Sequence, residues 1–105
     1  RIAEELTDTG VNCGVGVAAR FLQQALNAFN REASIYPDIV VDGVLGMRSL
    51  AALRSYLEYR GAEGEEVMLK ALNCLQGERY IGLAEGRPAN EEFVYGWIRT
   101  RVELP

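Results

Sequence analysis

The 105-residue chain has no histidine, only two cysteines, three prolines and a single tryptophan. Without histidine there is no imidazole to act as a base near neutral pH or to ligate a metal. Cys13 and Cys74 lie far apart, with no C-x-x-C spacing, so they form neither a zinc knuckle nor a disulfide framework. They read as buried thiols acting as small hydrophobes, a Cys13–Cys74 bridge being the alternative. No glycine-rich phosphate loop occurs, and neither a metal nor a cofactor is expected. No apolar run approaches the ~20 residues that cross a bilayer, so membrane insertion is not expected. Basic residues number 11 against 15 acidic ones, a net charge of −4, which repels nucleic-acid phosphates and argues against a nucleic-acid partner. The start, Arg1-Ile2-Ala3-Glu4-Glu5, has no initiating Met and no signal-peptide apolar core, so the chain reads as a piece of something longer.

What is present is ordinary globular material, 49% hydrophobic and 25% charged, sized for one domain over residues 1–105 with one modest core. The periodicity predicts an all-α bundle of about five helices, with no useful strand alternation. Residues 2–9 read as the end of a helix, and Gly10, Asn12, Gly14 and Gly16 interrupt the chain beyond it. Residues 16–29, with Val15 just before them, carry a 3.6-residue stripe of Val15, Ala18, Leu22, Ala25 and Phe29, with Gln23 and Asn27 largely off it. Pro37 makes residues 30–45 a loop. A third helix, residues 47–59, places Leu50, Leu53 and Leu57 on one face, and Gly61 and Gly64 separate it from a fourth over residues 65–85. Pro88 precedes a last helix of residues 89–102, with Phe93, Val94, Trp97 and Ile98 inward.

The most informative segment is Val41-Asp42-Gly43-Val44-Leu45-Gly46. It sits between a helix bearing Phe21-Leu22-Gln23-Gln24-Ala25-Leu26 and one bearing Ser49-Leu50-Ala51-Ala52-Leu53. Asp42 can accept N–H bonds from its own turn, Gly43 and Gly46 permit a tight reversal, and Val41, Val44 and Leu45 can anchor the loop to the core. This arrangement resembles bacterial peptidoglycan-binding domains. In that light the loop rim is a shallow groove for glycan or peptide, and otherwise it is a capped turn joining two helices.

Further ordered elements extend the likeness: Asp8-Thr9-Gly10-Val11-Asn12-Cys13-Gly14, Glu78-Arg79-Tyr80, and Gly96-Trp97-Ile98-Arg99-Thr100-Arg101. Together with the Leu22-Gln23 helix and the loop of residues 41–46, they make five ordered motifs that resemble the C-terminal predicted peptidoglycan-binding half of the glycoside hydrolase family 108 lysozyme-like proteins. That family includes phage and prophage endolysins and putative secretion activators. The resemblance runs from about Leu6 to Val102. It implies a peptidoglycan-binding-domain-like bundle forming one lobe of a lysozyme-like fold, in a bacterial envelope or secreted protein held in the cytoplasm until release. The partner it implies is the peptidoglycan glycan strand or its stem peptide. The residues it nominates for binding are Asn12, Gln23, Asp42, Gly43, Gly46, Arg79, Tyr80, Trp97 and Arg99.

Trp97, Tyr80 and Tyr95 can stack on sugar rings or pack in the core. Arg79, Arg99 and Arg101 can take stem-peptide carboxylates in bidentate contacts or pair with neighbouring glutamates. Asn12 and Gln23 can bond glycan or cap helices. The family's catalytic acid lies in a Glu-Gly-Gly motif, and neither Glu63-Gly64 nor Glu85-Gly86 supplies one. No catalytic residue is therefore assigned, since a glycosidase needs a general acid. The chain is expected to recognise wall polymer as the non-catalytic lobe of a muramidase, the catalytic segment lying N-terminal to it. The alternative is a helical protein-interaction or assembly module.

Overall fold

The register of apolar side chains against glycines sets four helical elements: α1 (Ile2–Cys13), α2 (Val15–Ala28), α3 (Met47–Gly86) and α4 (Glu91–Arg101). The computed structural model describes residues 1–31, 33–86 and 91–101, with side chains at all of these except Asn12, Glu91, Glu92, Phe93, Trp97 and Arg101. Among the described residues there is no strand, and the all-α expectation holds.

The element α3 is two helices joined end to end. Gly61, at φ 66° and ψ −150°, breaks the helical path. That backbone region is essentially closed to residues with a Cβ. The five-helix reading therefore survives as a first arm of residues 47–60 and a second arm of residues 62–86. Gly64 does not separate them: it lies inside the second arm, buried beneath Tyr56, whose hydroxyl donates to the Gly64 carbonyl at 2.6 Å. The α1 helix runs on through Gly10 to Cys13, and only Gly14, at φ 104°, interrupts it. Helical hydrogen bonding tolerates an isolated glycine at a cost of about 1 kcal/mol, whereas a positive φ ends the helix.

The core joins Ile2 of α1, Leu22 and Leu26 of α2, Tyr36 of the loop, Ala52 and Tyr56 of the first arm, and Met68 and Leu72 of the second. Phe29 stacks on Tyr56 with ring centroids 6.0 Å apart. The Tyr36 hydroxyl donates to the Leu26 carbonyl at 2.5 Å. Several expected inward positions face out: Val15 is 76% exposed and Leu50 53%. The fully buried stripe of the first arm is Ser49, Ala52 and Tyr56; of the expected Leu50–Leu53–Leu57 stripe, Leu53 and Leu57 are half-buried against the core and Leu50 is exposed. Cys13 and Cys74 are not joined by a disulfide, and Cys74 is exposed rather than buried.

Candidate functional site: a loop clamped by carboxamides

The described residues of the loop between α2 and α3 return along α2 without forming a strand, so their backbone polar groups need partners from elsewhere. Three side-chain amides on and just past α2 supply them. Gln23, Asn27 and Asn30 are spaced four and three residues apart, which places them on one helix face. Asn30 accepts the Tyr36 N–H at 3.0 Å and donates to the Tyr36 carbonyl at 2.6 Å. Asn27 treats Ile39 the same way, at 2.9 and 2.8 Å. Gln23 accepts the N–H groups of Asp42 and Gly43 through Oε1, at 3.1 and 3.0 Å. Its Nε2 donates to the Val44 carbonyl at 2.9 Å, Asp42 Oδ1 at 3.0 Å and Ser49 Oγ at 3.1 Å. A carboxamide carries donor and acceptor side by side, so each of these residues does for the loop what a neighbouring strand does in a sheet.

The turn at Asp42 closes on itself. Asp42 Oδ1 accepts the Val44 N–H at 2.9 Å. That bond, followed by the one from Gln23, holds the carboxyl below its ordinary pKa. Gly43 has φ 79°, and a Cβ there would stand 3.1 Å from the Gly16 carbonyl oxygen and 3.4 Å from the Arg20 guanidinium carbon. The loop thus presses closely on the start of α2. The apolar residues around its tip do not anchor it: Val40 is 71% exposed, Val44 63%, and Val41 and Leu45 38% each, in contrast to Tyr36, Ile35 and Ile39, which pack in or against the core. Amides rather than valines fasten the tip of this loop, which projects into solvent.

The nominated residues separate by position. Asp42, Gly43 and Gly46 lie together in the loop, with Asp42 and Gly46 exposed and Gly43 half-buried. Gly46 precedes α3, and its carbonyl accepts the Leu50 N–H at 3.1 Å. Gln23 holds this group together but is 1% exposed, with its amide wholly engaged by the fold, so it presents nothing to a polymer. Tyr80 is also 1% exposed, its hydroxyl taking a bond from Gln76 Nε2 at 3.0 Å. Arg79 is exposed and lines a separate concavity with Phe21, Gln24, Glu78 and Gly82. Arg99 is exposed on α4. The side chains of Asn12 and Trp97 lie outside the described residues.

Beside the loop lies a concavity of about 510 Å³, bounded by residues 36–39 on one side and Arg48, Ala51 and Ser55 of α3 on the other. The sequence does not single out Arg48, Ser55 or Asp38. Arg48 has only its place in the first turn of a helix to mark it, and Asp38 only its neighbour Pro37. Asn27 and Asn30 do carry a signal, their helical spacing from Gln23. Among the described residues no group of three or more cysteines and carboxylates is placed to hold a metal ion. No described helix is long and apolar enough to cross a membrane.

A search of curated proteins finds no match to this chain. A family model described as a predicted peptidoglycan domain matches residues 17–102, which takes in most of α2, the clamped loop, both arms of α3 and α4. This match indicates recognition of peptidoglycan in general terms and an association with the bacterial cell wall. The chain belongs to the predicted peptidoglycan domain family.

Proposed function

We propose that this domain is the wall-recognition lobe of a lysozyme-like muramidase of the endolysin and secretion-activator kind. In this reading it lies C-terminal to the segment that cleaves the glycan strand, in a protein that acts at the bacterial envelope. The observation that carries recognition is the amide-clamped loop: a backbone fixed at Tyr36, Ile39 and residues 42–44, with an exposed tip and an open groove alongside. A surface that is ordered before binding loses little conformational entropy when a polymer docks. Asp42, Gly43 and Gly46 shape the rim, and Gln23 acts through them as a positioning residue. Arg79 and Arg99 are further cations for wall carboxylates. The five ordered motifs support the muramidase context, and the absence of a Glu-Gly-Gly segment supports a recognition role for this part.

Co-sedimentation with purified bacterial cell wall tests the reading. The 105-residue chain should be retained, with no loss of wall turbidity. Concentration-dependent dimerisation with no retention would favour an assembly module instead. The muramidase context is tested by the reading frame on the N-terminal side of Arg1, which should encode a Glu-Gly-Gly segment. A frame without one would overturn that part.

A further inference from the structure

A second concavity, about 480 Å³, lies next to the one at Arg48. It is bounded by Ser34 and Ile35 of the loop and by Ser55, Glu58 and Tyr59 of α3. Ser55 lines both concavities, so the two adjoin as a trough between the loop and the first arm. Along an α-helix, which rises about 1.5 Å per residue, Arg48 to Tyr59 spans about 16 Å. An extended peptide advances about 3.3 Å per residue, so the trough holds roughly five residues.

Charged and hydrogen-bonding side chains are spread along the trough. Arg48 stands at one end, exposed, with no hydrogen bond or ion pair among the described residues. Asp38 stands on the loop side. Its Oδ1 takes a bond from Asn30 Nδ2 at 2.8 Å, so the carboxylate is oriented by the same amide that fixes Tyr36. No ion pair joins Asp38 to Arg48, although both border the same hollow. Glu58 adds a second carboxylate toward the far end, and the Tyr59 hydroxyl is held there by Arg31 Nη1 at 2.6 Å. Pro37, Ile39, Ala51 and Ala52 give an apolar wall. At the Arg48 end the only aromatic residue among those described is Tyr36, which is 5% exposed and offers no open ring face to a pyranose; at the far end Tyr59 is 54% exposed, with the Arg60 guanidinium 5.7 Å from its ring centroid.

We infer that the trough seats the stem peptide of peptidoglycan, with Arg48 receiving a peptide carboxylate and Asp38 and Glu58 receiving the side-chain ammonium of its diamino acid. This rests on the wall-recognition reading and narrows it to one of the polymer's two components. A stem peptide of about four or five residues matches the length of the trough. Its carboxylates and single ammonium match the separated charges along it, while methyl groups of its alanines suit the apolar wall.

The test measures retention of the chain on intact walls and on walls stripped of stem peptides by an amidase. Alongside it, fluorescence anisotropy follows binding of a labelled synthetic stem pentapeptide. Intact walls should retain the chain, and stripped walls should retain it about tenfold less. Arg48→Glu should weaken pentapeptide binding about tenfold or more, since a charge-assisted contact becomes a repulsive one. Arg54→Ala, at an exposed arginine on the same arm that borders neither concavity, should leave binding unchanged. Circular dichroism melts confirm that both variants fold. Equal retention on intact and stripped walls would overturn the stem-peptide assignment and leave wall recognition standing. So would unchanged pentapeptide affinity in Arg48→Glu. No retention on either wall would overturn wall recognition itself, and the assignment with it.

Discussion

A single carboxamide governs the loop that the family match and the trough both involve. Gln23 is buried, and its two polar atoms meet five groups spread over Asp42, Gly43, Val44 and Ser49. In Gln23→Leu the volume is nearly kept, but N–H and carbonyl groups of the loop lose their partners. The expected cost is roughly 2–4 kcal/mol in urea unfolding. Wall retention should fall with it even in conditions where the rest of the domain stays folded. A leucine variant as stable as the parent would show that the loop is held by something other than this amide. The two loop glycines should behave differently from each other. Gly43→Ala combines a positive φ with a 3.1 Å approach to the Gly16 oxygen and should cost about 1–3 kcal/mol. Gly46 has no positive φ, and a Cβ added there would meet nothing within 4 Å, so Gly46→Ala should stay within about 1 kcal/mol of the parent by the same measurement.

Tyr36 links the loop to the core and gives the domain an alkaline limit. Burial, and then the neighbouring Tyr56, raise its phenol from 10.0 to about 12. A phenol that holds its proton more tightly when folded contributes stability that is complete below pH 10. That contribution is lost as pH rises from 10 through about 12. Unfolding free energy should therefore decline across that window. In Tyr36→Phe the slope there should be smaller, at the cost of the bond to the Leu26 carbonyl and a lower stability at neutral pH. An unchanged alkaline slope in the variant would remove Tyr36 as its source.

At the scale of elements, α3 depends on one residue. Gly61 turns the chain so that the second arm folds back under Tyr56, and the Tyr56–Gly64 bond closes the corner. Gly61→Ala should cost about 1–3 kcal/mol, because its φ and ψ lie where a Cβ clashes with the backbone. Hydrogen exchange should report the loss first at the Tyr56–Gly64 corner. This break is legible in the sequence, since glycine ends apolar periodicity, and so are the extents of α2 and both arms. The centre of the buried face of the first arm lies one step from the apolar pattern, so Leu53 and Leu57 pack at its edge and Leu50 is exposed. Three leucines at 50, 53 and 57 outweigh Ser49, Ala52 and Tyr56 on any hydrophobicity count, yet small residues let the arm approach closely and Tyr56 fills the space beneath it. The fastening of the loop is hidden for a related reason. Polar side chains on a helix read as outward-facing, which puts Gln23 and Asn27 on the wrong side of the stripe. Only the need to satisfy a returning backbone explains why they turn toward the loop, and that need emerges once the loop is known to lie against α2. The Arg48–Asp38–Glu58 trough is illegible in the sequence because it joins two segments whose proximity is a tertiary fact.

For the whole molecule, charge and shape together constrain how binding to the wall can work. The domain measures 43 × 26 × 22 Å, so a trough of about 16 Å occupies a fraction of its long side. The net charge is −4, and the wall polymer is itself rich in carboxylates. Long-range electrostatics therefore oppose the encounter, and the favourable charge contacts are confined to Arg48, Asp38 and Glu58 within the trough. Salt screens the distant repulsion strongly, with a Debye length of about 10 Å at 0.1 M, and screens contacts at hydrogen-bond distance much less. Retention on intact wall should accordingly stay level or rise as ionic strength increases from roughly 0.02 to 0.3 M. A basic surface adsorbing to an anionic polymer behaves oppositely, losing affinity steeply over the same range. A roughly tenfold fall in retention would mean that scattered cations such as Arg79 and Arg99, rather than the clamped loop and its trough, carry the interaction.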